Sequence, residues 1–340
     1  MKHLQPAYFA LVMATGIISI AAFDFELSWL AFALFAISAT AFAVLVTLTV
    51  ARAVRYPRLL FADMTDHRIG PGFFTAVAAS SVLGSQVLLI IGNLTVASIL
   101  LALAIVLWIT LTYTIFTAFT VKRNKPSLEQ GLTGAWLIAV VATQSVAVLA
   151  ALVSRETPQP HRLELNFFAM SMWLWGGMLY IWIISLIFYR YSFFSFSPED
   201  LTPPYWINMG AMAISTLAGA LLVQNAPDAH FLASLLPFLK GFTVFYWATG
   251  TWWIPMLIIL GLWRYVFQRV PLRYDPLYWG AVFPLGMFSV ATHQMAQALE
   301  LPFLAPVPWI VFLAALLAWT LAFVGMLRSL LRTISGGAAG

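Results

Sequence analysis

"YWGAVFPLGMFSVATHQM" (278–295) lies in a stretch apolar enough to cross a bilayer, yet it holds two glycines, a proline and a histidine. In hydrocarbon every backbone polar group needs a partner, so such residues are tolerated where a helix faces protein or a water-filled passage. Pro284 has no N–H to give the carbonyl of Gly280, and its ring presses on that carbonyl, which predicts a bend. Gly280 and Gly286 flank the bend and leave Phe283 with little side-chain bulk beside it. At about 100° per residue, Phe283, Gly286, Met287, Val290, His293, Gln294 and Gln297 share one broad stripe. An aromatic ring then lies about 10 Å in from the start of the span, with polar side chains beyond it. Such a helix suits the wall and gate of a narrow pore, where an apolar constriction shuts the passage by excluding water. The same residues also suit a packing kink with Phe283 in the core, and the sequence alone leaves both readings open.

The rest of the chain shares this solvent. Of 340 residues, 62% are apolar and 9% charged, too little polar surface to clothe a water-soluble globule of that size. Apolar runs repeatedly reach the roughly 20 residues that a bilayer demands of a helix. The chain is therefore expected to be an all-α polytopic membrane protein, a single membrane domain over 1–340. Ten spans are predicted, at about 6–23, 28–51, 71–91, 95–121, 131–153, 166–189, 204–224, 235–266, 276–298 and 306–331. The first reads as a retained helix rather than a signal peptide, because Thr15, Gly16 and Ser19 sit mid-span. The tail "SGGAAG" reads as a flexible end. No cysteine is present, which rules out disulfides, thiolate metal sites and a cysteine nucleophile.

Assigning loops alternately to two sides places fourteen Lys/Arg, Arg273 among them, on the side of both termini, and only Arg155 and Arg162 opposite. Lys240 falls near the outer end of the eighth span. Positive loops stay cytoplasmic, so both ends are expected inside a cytoplasmic (inner) membrane. The net charge of +5 is then mostly topology, and nucleic acid is not an expected partner.

Odd spans carry recurrent small and polar residues, while even spans are greasier; the fourth reads "ASILLALAIVLWIT" and the tenth "WIVFLAALLAWTLAF". Gly176 and Gly177 in the sixth span, and Gly241, Gly250 and Gly261 in the eighth, break the pattern. Odd-span centres recur about every 60 to 75 residues, which predicts five helical hairpins around an axis, with odd helices inside and even helices outside.

"YWGAVFPLGMFSVAT" resembles the ninth-helix signature of the tellurite-resistance/dicarboxylate transporter family, which includes bacterial TehA, plant slow guard-cell anion channels, fungal malate permeases and fungal sulfite efflux proteins. "FALVMATGIISI" (9–20) is similar to the first helix of the malate and sulfite branch. The resemblance implies a pore in each subunit of a homotrimer, obstructed by the phenylalanine before the ninth-helix proline, here Phe283. Where the channels commonly have small residues after that proline, this chain has "LGMF", closer to the carriers, so channel and carrier both stay open.

No Asp or Glu falls inside the predicted spans, whereas cation pathways place carboxylates at membrane depth. A small anion is therefore the expected cargo: a C4-dicarboxylate, sulfite or an inorganic anion. Thr15, Gly16, Ser19, Ser85, Gln86, Thr143, Gln144, Ser215, His293 and Gln294 are the candidate lining or anion-binding residues, each with an equally plain role in packing helices together. Lys240 either draws anions to the outer mouth or snorkels to the interface. His293 is the one histidine within a span; His3 and the others lie at ends or in loops. In the alternative, a proton-coupled carrier, the proton rides on His293, on Lys240 or on the substrate. No GxSxG, HExxH or histidine cluster is present, so no enzyme activity, metal or other cofactor is expected. A purely structural membrane protein remains the third class.

Overall fold

A computed structural model describes residues 2, 4–272 and 274–336; His3, Arg273 and the last four residues of the SGGAAG tail lie outside them. Among the described residues all regular structure is helical. Ten long helices follow in order: α1 (Pro6–Asp24), α2 (Ser28–Arg55), α3 (Gly70–Ile91), α4 (Leu94–Val121), α5 (Gly134–Glu156), α6 (His161–Phe193), α7 (Pro203–Asp228), α8 (Leu236–Phe267), α9 (Trp279–Ala298) and α10 (Pro302–Arg332). Nine of them are long and apolar enough to cross a membrane; α9 has the length, but its glycines, proline, His293 and glutamines dilute its hydropathy. Three inner helices overrun the expected limits with polar residues: α1 takes in Asp24, α5 Arg155 and Glu156, α7 Asp228. Backbone hydrogen bonding continues a helix until a turn breaks it, whatever the hydropathy of its last residues.

α1, α3, α5, α7 and α9 touch in a closed cycle, with α9 returning to α1, and each is also packed against the even helix that follows it. The most apolar window of α5 is wholly buried and that of α7 is 94% buried, against 17% in α2 and 22% in α4, α8 and α10. Five helices therefore form an inner ring, and their partners turn apolar side chains such as Ile99, Val106, Leu317 and Leu321 outward, as contact with lipid requires. α6 is intermediate: a Cβ on Gly176 would lie 2.5 Å from Nε2 of Gln144, so this glycine lets α6 close on the inner helix α5, and one on Gly177 would overlap the Tyr246 hydroxyl of the outer helix α8.

All five inner helices run parallel, and each opens in a 3₁₀ turn: Pro6–Phe9, Gly70–Phe73, Gly134–Leu137, Pro203–Trp206 and Pro276–Tyr278. Four carry proline in the first two positions, where its missing N–H would be unpaired anyway. The five turns form their own closed cycle, so the ring is narrow at the side where α1 starts, called here the near side. At the far side the hairpin connections are short; α3 and α4 are joined through Gly92, whose φ of 75° is the left-handed region that glycine enters freely.

Each outer helix is pinned to the next inner helix as well as to its own. Ser38 of α2 donates to Oε1 of Gln86 at 3.0 Å, Trp108 of α4 to Oγ1 of Thr143 at 2.8 Å, and Trp173 of α6 to the Ser215 carbonyl at 2.8 Å. Trp247 of α8 donates to Oγ1 of Thr292 at 3.0 Å, and Trp319 of α10 closes the circle on Oγ1 of Thr15 at 3.0 Å. In lipid these bonds satisfy indole and hydroxyl groups that have no water to turn to.

Candidate functional site

Two cavities lie along the inner ring, and each is lined by residues from all five inner helices. The near cavity, about 20 Å³, includes Met13, Thr75, Val141, Ile207 and Phe283 in its wall. The far cavity, about 60 Å³, includes Ile17, Ser81, Ser145, Ile214 and Met287. The two share no residue, although on α1, α5 and α9 the last near-side residue and the first far-side residue are a single turn apart. Between them the axis is filled: Met13, Phe283 and Met287 are at most 3% exposed. Phe283 thus faces the ring axis at the waist.

Of the other α9 residues, Gly280 lines the near cavity. Pro284 packs on Gly210 of α7, where a Cβ would meet its ring at 2.7 Å. Gly286 does not make room beside Phe283, as the stripe predicted; a Cβ there would lie 2.8 Å from Cγ2 of Ile17, so this glycine lets α9 approach α1. Gln294 lines the far cavity, whereas His293 is turned aside, edge-on to Phe25 with ring centroids 5.5 Å apart and with Nε2 2.9 Å from Nε2 of Gln297.

The polar candidates divide in the same way. Ser85 lines the far cavity and donates to the Ser81 carbonyl at 3.0 Å. The others lie at helix contacts rather than in either cavity wall. Thr15, Gln86, Thr143 and Ser215 belong to the pins described above, Ser19 donates to the Ala31 carbonyl at 2.7 Å, and Gln144 donates to the Trp173 carbonyl at 3.0 Å. Gly16 faces α3, with Cγ1 of Val82 2.5 Å from where its Cβ would be. Lys240 is exposed on the outer helix α8. Hydropathy cannot tell which neighbour a hydroxyl faces, which is why one list held both groups.

The structure adds residues that the sequence reading passed over. Arg155, assigned to a loop, sits in the wall of the far cavity, donating from Nε to Oδ1 of Asn225 at 2.7 Å and from Nη2 to Oε1 of Gln224 at 2.6 Å. Gln224 donates in turn to Oε1 of Gln294 at 3.2 Å, and Nε2 of Gln294 lies 3.4 Å from Oδ2 of Asp24. A polar collar drawn from α5, α7, α9 and α1 thus rims the far mouth. Asp24, like Glu156, Glu164 and Asp228, lies just outside the predicted carboxylate-free spans in an end turn of an observed helix, and it brings a carboxylate to this collar. Ser81 and Ser145 join Ser85 deeper in the cavity, and the Ser81 hydroxyl is buried without a partner.

On the near side, at the end of α6, Arg190 bonds the Leu132 carbonyl at 3.1 Å, the Tyr205 hydroxyl and Oδ1 of Asp200 at 3.1 Å. Burial alone would raise the Asp200 carboxyl, but the N–H and hydroxyl of Ser197, with Arg190, hold it below the ordinary carboxylate value. His67, in the connection between α2 and α3, stacks on Phe119 at 4.2 Å. Burial lowers its imidazole below the usual histidine range, with Lys122 acting the same way, against Asp66. Among the described residues no group of His, Asp or Glu is placed to hold a metal ion.

Comparison with known proteins agrees with this architecture. Residues 3–327 match the SLAC1 family model, described as voltage-dependent anion channel. An uncharacterized membrane protein of Mycobacterium tuberculosis is 42% identical over 156 residues, 46% of this chain and 79% of that protein. An uncharacterized transporter of Methanocaldococcus jannaschii is 27% identical over 302 residues, covering 86% of this chain and 84% of the relative. A sulfite efflux pump of Trichophyton rubrum is 23% identical over 219 residues, 61% of this chain and 56% of that protein. A family match that spans nearly the whole ten-helix bundle leaves one conclusion: the chain belongs to the SLAC1, voltage-dependent anion channel, family.

Proposed function

We propose that the protein passes small anions along the axis of its inner ring, with Phe283 as the principal constriction and with Pro284 and Gly280 shaping the helix that carries it. Family membership and relatives named as transporters and as a sulfite efflux pump support anion transport in general, and a transporter or channel rather than an enzyme. The observation that carries the finer reading is the pair of axial cavities separated at the level of Phe283. Electrostatics favour an anion: five parallel helices aim their N-terminal, partially positive ends at the near mouth.

The protein is read as a multi-pass component of the cytoplasmic membrane, its lipid-facing outer helices in the bilayer, its two ends cytoplasmic by the excess of near-side Lys and Arg, and its assembly a homotrimer by family resemblance. The cargo stays within C4-dicarboxylate, sulfite or inorganic anion. Phe283→Ala, reconstituted in liposomes, is expected to raise anion flux at least about tenfold, as removal of an apolar plug requires. Unchanged or reduced flux at normal expression and folding would remove Phe283 from the gate.

The closed waist also suits the alternative, a proton-coupled carrier whose two cavities open in turn. His293 and Lys240 lie off the axis, which leaves the substrate as the proton's vehicle in that reading. His293→Gln is accordingly expected to preserve any response of flux to a pH gradient; loss of that response alone would return His293 to the mechanism.

A further inference from the structure

We infer that Arg155, with the Ser81 hydroxyl below it, selects compact, singly charged oxoanions at the far mouth and disfavours C4-dicarboxylates; this rests on the conducting role proposed above. Three other arginines that bridge helices and loops each meet a carboxylate: Arg52 with Asp63 at 2.5 Å, Arg190 with Asp200 at 3.1 Å and Arg162 with Asp228 at 3.5 Å. Arg155 does not. Its protein acceptors are the neutral amide oxygens of Asn225 and Gln224, and among the described residues no carboxylate lies within ion-pair distance. The amides hold the guanidinium in place without cancelling its charge, and a guanidinium has more N–H groups than these two bonds use.

The rest of the cavity fits the same ligand. Deeper in the same cavity wall, the buried Ser81 hydroxyl has no acceptor and can donate to one that arrives. The volume, about 60 Å³, equals roughly four to six water-sized spheres, room for the few heavy atoms of nitrate or bisulfite. A C4-dicarboxylate has about twice as many. Its second negative charge would also find no second uncompensated cation in the wall, but Asp24, linked to Arg155 through Gln294 and Gln224.

The test uses liposomes of neutral lipid with Phe283→Ala as background, so that the waist does not limit flux, and compares nitrate with malate. Nitrate is expected to pass at least about tenfold faster. Arg155→Gln should raise the half-saturating nitrate concentration about tenfold, equivalent to about 1.4 kcal/mol, Arg155→Lys should restore most of the loss, and Ser81→Ala should raise it about threefold. Malate flux equal to nitrate flux, or an unaltered half-saturation in Ser81→Ala and in a normally folded Arg155→Gln, overturns the selectivity site while leaving conduction intact. If Arg155→Gln does not fold, Arg155→Lys and Ser81→Ala decide. Absence of flux for every anion in every variant overturns the conducting reading, and this inference with it.

Discussion

Thr15 and Ser81 are both buried hydroxyls in apolar inner helices, and their surroundings give them opposite meanings. Thr15 accepts the indole N–H of Trp319, so Thr15→Val leaves a buried donor unpaired. That change is expected to destabilise the fold by about 1–3 kcal/mol and to leave anion selectivity alone; thermal denaturation beside flux measurements would check both. A shift in selectivity at unchanged stability would instead place Thr15 on the ion's path. The sequence singled out Thr15 and passed over Ser81, because the rarity of a hydroxyl in hydrocarbon marks it as special without telling which way it points. Arg155 escaped because a charge ten or so residues past mid-span reads as a loop, although the helix carries it into the cavity wall.

At the scale of the element, glycines separate by what stands opposite them. A Cβ on Gly210 would lie 2.7 Å from the Pro284 ring, which cannot rotate away, so Gly210→Ala must push α7 from α9. A loss of about 1–3 kcal/mol, as overpacking commonly costs, is expected in chemical or thermal unfolding. Gly241 of the outer helix α8 has nothing within 4 Å of a built Cβ, and Gly241→Ala should be neutral or stabilising by about 0.5–1 kcal/mol. Equal effects at the two positions would contradict the packing of α9 on α7. Pro284 was legible as a strong irregularity, but Gly210, its partner some seventy residues earlier, carries no local sign of that contact.

Across the whole molecule, acid should loosen the near side in two stages. Because the His67 imidazole is held below its ordinary value, the unfolded chain takes up that proton first. Its contribution is complete above about pH 6.5 and fades as pH falls through the lowered folded value. The Asp200 carboxyl is also held low, so its contribution is complete above about pH 4 and is lost on further acidification. Melting temperatures measured from pH 7.5 to 3.5 should fall in both windows, with His67→Gln flattening the first and Asp200→Asn the second; parallel curves for all three proteins would refute the assignment. Orientation is separately testable, since the chain has no cysteine of its own. Arg328→Cys is expected to resist an impermeant maleimide in intact cells, and His161→Cys to react; the reverse pattern would invert the topology.

Composition and hydropathy alone determined that this chain is a helical membrane protein, and the alternation of small-residue and greasy spans determined which helices go inside, because the bilayer rewards apolar surface and confines backbone irregularity to protein interiors. The proline and its neighbouring phenylalanine could be read as a special helix. Only the tertiary structure decided that Phe283 faces the axis, that Thr15, Gln86 and Thr143 are turned to outer helices, and that Arg155, Gln224, Gln294 and Asp24 meet at one mouth. Those facts depend on the rotation of each helix about its own axis, which is set by side-chain packing between residues as far apart as Asp24 and Gln294, and no local pattern encodes it.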